Sequence, residues 1–148
     1  MSNSRIVTIA IAGFLTVGMT TASLSAKASD PSGTWAMSNG KVTVKVSSCG
    51  ANLCAKIVGL KEPISKIDGK PKVDRENPDP SLRKRPLIGL QILIGMKPDG
   101  DGRWKGAIYN PDDGKTYSAT VKHDGGQMNV KGCVASVFCK TNKFVRVN

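Results

Sequence analysis

Short runs in which apolar and polar residues alternate, separated by closely spaced turn signals, constrain the fold of this chain more than any other feature. In residues 41–48, Val42, Val44 and Val46 share one face and the opposite face is polar. The alternation recurs in residues 87–96, 104–109, 117–122 and 127–131, and residues 53–59 and 138–147 are also β-rich. A two-residue period is typical of a strand with one buried face, and no apolar stripe of helical spacing is present. The sequence therefore predicts an all-β fold.

Turn-forming residues divide these runs into short strands with hairpin-length links. The turn signals are Ser38-Asn39-Gly40, Gly50-Ala51-Asn52, Asp99-Gly100-Asp101-Gly102, Pro111-Asp112-Asp113-Gly114 and Asp124-Gly125-Gly126. An antiparallel meander has exposed edges unless it closes, so we predict a small antiparallel up-and-down barrel of about eight strands. A β-sandwich is the alternative. An outer-membrane barrel is disfavoured, because membrane strands are longer and carry aromatic girdles, whereas these strands are short and carry Lys and Thr outside.

The first 28 residues have the pattern of a secretory signal peptide. Arg5 is followed by the apolar run Ile6–Val17, and Ala26-Lys27-Ala28 offers a cleavage site. The run is too short for a transmembrane anchor, which needs about 20 apolar residues. We therefore predict a cleaved signal peptide at 1–28, an exported domain at 29–148, and no transmembrane segment in the mature chain. Without Arg5 and Lys27, the formal charge falls from +11 to +9.

The cysteines form two close pairs. Cys49 and Cys54 are spaced C-x4-C, and Cys133 and Cys139 are spaced C-x5-C. An even number of cysteines in a small exported chain is typical of disulfides. Three connectivities exist, and we favour the two local pairs, because each brackets a segment that can form a hairpin turn. A four-cysteine zinc site is the alternative, disfavoured by the oxidising compartment.

Residues 60–86 interrupt the regular rhythm of strands. This segment holds five prolines and a dense mixture of Lys, Arg, Asp and Glu. Such a long connection is uncommon in a compact domain and is usually either functional or disordered. We consider two interpretations, a solvated surface excursion and a lid or rim over the mouth of the barrel.

Residues 31–148 resemble a known bacterial family across nearly their whole length. The matching positions are Gly33-x-Trp35, Cys49…Leu53-Cys54, Asp74…Asn77-Pro78, Arg83…Arg85-Pro86-Leu87…Gly89, Gly106-x-Ile108-Tyr109-x-Pro111-x-x-Gly114-Lys115-x-Tyr117, Gly132-Cys133 and Arg146. The family is catalogued as domain of unknown function 2147. Phe144 is a departure, since the family usually has Trp two residues before the closing Arg.

The resemblance implies a lipocalin-like barrel that is exported to the periplasm, or secreted, in Gram-negative bacteria and has no established activity. Gly33, Trp35 and Arg146 are also similar to the calycin arrangement, in which a Trp of the first strand packs under an Arg of the last. A guanidinium over an indole face gains about 0.5–2 kcal/mol. We expect these three residues to close one end of the barrel rather than to contact a ligand.

The sequence favours a binding protein over an enzyme. No nucleophile motif is present, and the single histidine, His123, precedes Asp124-Gly125-Gly126 and is predicted to be a solvent-facing turn residue. Asp99-x-Asp101 begins like a calcium loop, but Arg103 and Asn110 occupy positions that need ligands. We therefore predict no catalytic residue, no metal and no cofactor.

Two functional hypotheses remain. In the first, the chain is an exported non-catalytic lipocalin-like protein whose aliphatic interior, including Leu90, Ile92 and Ile94, holds a small apolar or amphipathic ligand. Arg83, Arg85 and Tyr109 are then the candidate ligand contacts at the rim. In the alternative, the barrel is filled, and a basic face centred on Arg83-Lys84-Arg85 binds anionic lipids, polymers or a partner protein. Nucleic acid is disfavoured as a partner because the protein is exported.

Overall fold

Strands account for just over half of the residues that the computed structural model describes, which are 30–100 and 102–147. They are β1 (Gly33–Met37), β2 (Val42–Cys49), β3 (Asn52–Leu60), β4 (Gln91–Pro98), β5 (Arg103–Asn110), β6 (Lys115–Asp124), β7 (Gln127–Val134) and β8 (Phe138–Arg146). A single 3₁₀ turn, Pro80–Leu82, lies between β3 and β4. The all-β prediction is confirmed. The predicted signal peptide, residues 1–28, lies outside the described residues.

The eight strands form one closed antiparallel barrel. Each strand pairs with the next along the chain, and β1 pairs with β8, which removes the free edges. The up-and-down barrel is therefore confirmed over the β-sandwich. Among the described residues, no helix is long and apolar enough to cross a membrane.

The core follows the inward faces that the alternation predicted, except around a bulge in β4. Val44 and Val46 are buried, and so are Leu90, Ile92, Leu93 and Met96, but Ile94 is 43% exposed. The prediction that Ile94 points inward is wrong. Register shifts occur on both sides of β4, and Gly95 has a φ of +57°. A β-bulge adds a residue to one strand and changes the face on which later residues lie, so a strict two-residue count fails there.

The bulge explains why β5 has a glycine opposite it. A Cβ atom on Gly106 would lie 2.7 Å from the carbonyl oxygens of both Ile94 and Gly95. Backbone atoms of a paired strand cannot move away without breaking the ladder. Only glycine allows β4 and β5 to approach this closely.

The two predicted disulfides are present. Cys49 pairs with Cys54 across the β2–β3 hairpin, with Cα atoms 5.8 Å apart, and Cys133 pairs with Cys139 across the β7–β8 hairpin, with Cα atoms 4.1 Å apart. Both bridges close short loops, so their main effect is to fix hairpin geometry rather than to reduce chain entropy.

Trp35 and Arg146 meet at the seam between the first and last strands. They are register partners, and the Arg146 guanidinium carbon lies 4.4 Å from the Trp35 ring centroid. The indole Nε1–H donates to the Pro31 carbonyl at 2.8 Å, and Arg146 donates to the Ser32 carbonyl at 2.7 Å. Trp35 is fully buried, so the pair covers this end of the barrel.

His123 belongs to this same cluster, and its prediction as a solvent-facing turn residue is wrong. It lies in β6, is only 6% exposed, and packs edge-on against Trp35 with ring centroids 5.3 Å apart. Its Nε2 is 2.7 Å from the Gly125 carbonyl oxygen. The strand extends one residue further than the turn signal indicates, which places the imidazole on the inward face.

We predict that Gly106→Ala reduces the free energy of unfolding by about 1–3 kcal/mol, the usual cost of forcing extra atoms into a packed interior. Gly126→Ala is the matched control, because a Cβ at Gly126 would meet nothing within 4 Å. Urea unfolding of both variants measures the difference. Equal stability of the two variants would contradict the close approach of β4 to Gly106.

Candidate ligand site at the barrel mouth

The two ends of the barrel differ in their chemistry. One end, which we call the closed end, carries Trp35, His123 and Arg146, and the short turns after β2, β4 and β6. The other end, which we call the mouth, carries the turns at 38–41, 111–114 and 135–137 and the long connection at 61–90. In an up-and-down meander, alternate connections lie at opposite ends, so strand order alone brings these four segments together.

A cavity of about 1180 Å³ opens at the mouth. Pockets for drug-sized ligands typically measure about 300–1,000 Å³. The cavity is lined deep inside by aliphatic and aromatic side chains that are buried, among them Ile57, Leu87, Ile92, Val130 and Phe144. An apolar interior of this size has room for the hydrocarbon part of a small molecule.

The barrel is filled at its closed end and hollow at its mouth. Trp35, Met96, Val121 and Met128 are each fully buried, and none of them lines the cavity. Buried side chains therefore fill one half of the interior, and those of the other half surround a space. A barrel of eight strands is just wide enough for either arrangement.

Charged side chains surround the opening of the cavity. Four lysines line it, Lys41, Lys61, Lys72 and Lys140, together with three carboxylates, Glu62, Asp112 and Asp113. Lys41 Nζ lies 2.6 Å from Asp112, Lys72 Nζ lies 3.9 Å from Glu62, and Tyr117 donates its hydroxyl hydrogen to Asp113. Within the described part of the chain, Lys61 and Lys140 make no ion pair. They are the cations of the opening that remain available to an anionic group.

The segment 60–86 forms one wall of the mouth. Lys61, Glu62 and Lys72 line the cavity, and Leu87 follows directly after the segment. Isolated bridges join Ile64 to Pro71 and Val73 to Pro86, so the segment folds back on itself in two places. The rim interpretation is supported over the solvated excursion, because the segment packs on the barrel end rather than extending away from it.

A buried carboxylate anchors this segment to the barrel. Asp74 is fully buried, and its Oδ1 accepts a hydrogen bond from the Tyr109 hydroxyl of β5 at 2.6 Å. Its Oδ2 accepts from Asn77 Nδ2 at 2.8 Å and from Arg85 at 2.7–2.8 Å. Arg85 also lies 5.6 Å from the Tyr109 ring centroid. Every lone pair of a buried carboxylate needs such partners, because burial without them is costly.

The ionisation of this cluster follows from its contacts. Burial raises the pKa of Asp74, but the hydrogen bonds from Tyr109, Asn77 and Arg85 and the Arg85 charge outweigh burial, so the pKa lies below its ordinary 3.8. Burial and the neighbouring Asp74 carboxylate raise the pKa of Tyr109 above 10.0. The phenol therefore keeps its proton and acts as the donor to a carboxylate that keeps its charge.

The β5–β6 turn supports the same wall from the other side. A Cβ atom on Gly114 would overlap the carbonyl oxygen of Glu76, and the φ of Gly114 is +67°. The turn at 111–114 therefore packs directly on the backbone next to Asn77. This contact gives the Pro111-x-x-Gly114 part of the sequence pattern a physical role in seating the segment.

The structure gathers Arg83, Arg85 and Tyr109 but gives their polar groups to the protein itself. Arg83 Nε donates to the Asn77 carbonyl at 2.7 Å, and Arg85 and Tyr109 both bind Asp74. Only Tyr109 lines the cavity. Their role as ligand contacts stays a prediction, and the geometry favours a role in holding the rim.

Sequence reasoning did not single out Lys140 and Asn142, which line the cavity from β8, or Asp74 as the anchor of the rim. The alternation in β8 could have found the first two, because they lie on the same face as Phe144. No sequence signal reveals that Asp74 reaches Tyr109, 35 residues away. Among the described residues, no group of three or more His, Cys, Asp or Glu side chains could hold a metal ion.

A closed eight-stranded barrel with a cavity at one end is the architecture of lipocalin-like proteins. Residues 33–146 match the family described as "Uncharacterized protein conserved in bacteria (DUF2147)", and the chain belongs to that family. Protein HP1028 from Helicobacter pylori, described as belonging to the lipocalin family, has a similar fold, with a TM-score of 0.68. It is 23% identical in sequence, and the match covers 80% of this chain and 84% of that one. No curated protein sequence matches the chain.

We predict that Asp74→Asn reduces the free energy of unfolding by about 1.5–3 kcal/mol at neutral pH, the usual worth of hydrogen bonds to a charged group. Because folding lowers the pKa of Asp74, its carboxylate contributes fully above the unfolded pKa near 3.8. That contribution is lost as the pH falls through the folded pKa. The difference between wild type and variant should therefore shrink below pH 3.8.

Urea unfolding at neutral and acidic pH measures this difference. Asp112→Asn is the control, because Asp112 pairs with Lys41 in an exposed salt bridge worth about 0–1 kcal/mol. A difference for Asp74→Asn that stays the same at both pH values would contradict an anchor that depends on the charged carboxylate.

Proposed function

We propose that this protein is an exported binding protein that holds a single-chain amphiphile with an anionic head, and that it performs no catalysis. The cavity at the mouth, apolar inside and ringed by lysines, is the observation that carries the proposal. The lipocalin-like fold and the two disulfides support it, since disulfides persist in the periplasm and outside the cell.

The depth of the cavity suits a hydrocarbon tail. Ile57, Ile92 and Val130 line it at different heights of the barrel, and all three are buried. Moving hydrocarbon from water into such surroundings contributes about 0.8 kcal/mol for each buried methylene. A chain of several methylenes therefore gains enough to bind without any specific polar contact.

The opening suits an anionic head. Lys140 projects from the inward face of β8 next to Asn142, and Lys61 lies on the opposite wall, after β3. A carboxylate or phosphate at the opening can accept charge-assisted hydrogen bonds from these ammonium groups. The other two lysines of the opening already pair with Asp112 and Glu62. Lys140 and Lys61 are therefore the proposed head contacts.

We predict that native mass spectrometry of the purified protein reveals a co-purified amphiphile, and that the delipidated protein binds a fluorescent fatty acid. Val130→Trp should weaken that binding at least tenfold, because the indole fills the cavity. Val145→Trp is the matched control, since Val145 lies on β8 and is 47% exposed outside the cavity. A delipidated protein that binds no amphiphile would overturn the proposal.

The contribution of Lys140 to binding of an anionic head can be tested separately. We predict that Lys140→Glu weakens binding of the fatty acid about tenfold, the equivalent of one hydrogen bond between charged groups. Lys143→Glu changes the net charge equally on the same strand, but Lys143 does not line the cavity. Equal weakening by both variants would indicate a general charge effect and would remove Lys140 from the site.

The alternative function, docking of the basic run Arg83-Lys84-Arg85 on anionic envelope components, has less support. Arg83 and Arg85 bind Asn77 and Asp74, which leaves Lys84 as the member of the run without such a bond. This alternative also assumes a filled barrel, whereas the barrel has a cavity at its mouth. Charge reversal at the three positions, with envelope retention measured in low salt, tests it. If the charge reversal abolishes envelope retention, the result would favour this alternative.

A further inference from the structure

The tip of the β7–β8 hairpin exposes three neighbouring apolar side chains. Val134 is 49% exposed, Val137 is 74% exposed and Phe138 is 76% exposed. Val134 and Phe138 are register partners, so their side chains lie side by side at the end of the hairpin. Single exposed apolar residues need no explanation, but a cluster with an aromatic ring at its centre marks an interaction site.

The hairpin holds this cluster in place. The Cys133–Cys139 disulfide joins the two strands at the next pair of residues, and the Val137 amide donates to the Val134 carbonyl at 3.2 Å. Ala135 and Ser136 connect the strands with φ values of 48° and 60°, an uncommon conformation for residues other than glycine. These contacts hold the hairpin in the conformation that exposes the three apolar side chains.

The charge of the hairpin points to an anionic partner. Residues 127–148 contain Lys131, Lys140, Lys143 and Arg146 and no Asp or Glu. Lys140 and Lys131 lie within three residues of the apolar tip. An apolar tip with lysines directly behind it matches the interface of a bilayer, where apolar groups enter the acyl boundary and lysines meet anionic headgroups.

We propose that the tip of the β7–β8 hairpin docks the protein on bilayers that contain anionic phospholipid. Val137 and Phe138 enter the interface, and Lys131 and Lys140 contact headgroup phosphates. Val134, Val137 and Phe138 also line the mouth, so docking brings the opening of the cavity to the membrane surface. Docking does not depend on a cavity ligand and is a separate function from the binding proposed above.

The test is sedimentation of the delipidated protein with vesicles of equimolar phosphatidylglycerol and phosphatidylcholine. We predict binding at low salt, weaker binding to phosphatidylcholine alone, and a loss of at least about tenfold on Phe138→Asp, since burying an aromatic ring contributes more than one factor of ten. Val145→Asp makes the same charge change on the outward face of β8 and should bind within about twofold of wild type, since it removes no apolar contact with the bilayer.

Two further variants decide the location and the independence of the site. Ile67→Asp removes a side chain on the segment 60–86 that is as exposed as those of the tip. It should leave vesicle binding unchanged. Val130→Trp fills the cavity and should also leave it unchanged, which separates this proposal from the cavity ligand. Val137→Asp repeats the test should Phe138→Asp fail to fold.

Three outcomes would overturn the proposal. They are no binding to anionic vesicles, loss of binding on Ile67→Asp rather than on the tip variants, and a dimer in sedimentation that dissociates on Phe138→Asp without any vesicle binding. The last result would identify the tip as a contact between two copies of the chain.

Discussion

Three residue pairs join β1 to β8, from Trp35–Arg146 to Met37–Phe144, and this short seam converts a sheet of eight strands into a barrel. Its ladder is short, because β1 has only five residues. The contacts around it compensate for this. Arg146 lies over the Trp35 ring and donates to the Ser32 carbonyl, while the indole donates to Pro31. Without the seam, β1 and β8 would be open edges, and the interior that encloses the cavity would not exist.

At the mouth, the barrel must instead stay open, and the long segment 60–86 must be held without covering the cavity. The Asp74 carboxylate achieves this by binding Asn77 and Arg85 from its own segment and Tyr109 from the barrel wall. Asp74 is fully buried, so its charge depends on these partners, whereas the Arg85 side chain is 36% exposed. Arg85 and Tyr109, which the sequence predicted as ligand contacts, are thus bound to Asp74, and lysines line the opening of the cavity.

The closed end and the mouth make the barrel asymmetric along its axis. Bulky side chains fill the barrel around Trp35, and the space is concentrated at the end where Lys61, Lys140 and the hairpin tip lie. The two proposals, an amphiphile in the cavity and docking of the tip on a bilayer, use the same end and share Lys140, but the first depends on the apolar interior of the cavity and the second on Val137 and Phe138 at the tip. Both proposals place an anionic group at the mouth of the barrel, so the two functions are compatible.

Apart from the Trp35–Arg146 contact, which only the resemblance to the calycin arrangement implied, sequence alone was sufficient for the class of fold, the number of strands and the two disulfides. These features depend on local alternation, on turn chemistry and on residues close in the chain. Ile94 was misplaced because a bulge in β4 changed the face it occupies, which a two-residue count does not tolerate. His123 was misplaced because β6 continues into the turn signal and keeps the imidazole on the same face as Ala119 and Val121. The Asp74 anchor, the hollow half of the barrel and the exposed hairpin tip were decided by tertiary structure. The anchor depends on which distant side chains meet when the barrel closes, and the hollow half depends on the volume that they leave unfilled. The exposure of the tip depends on how the rest of the described chain packs around it.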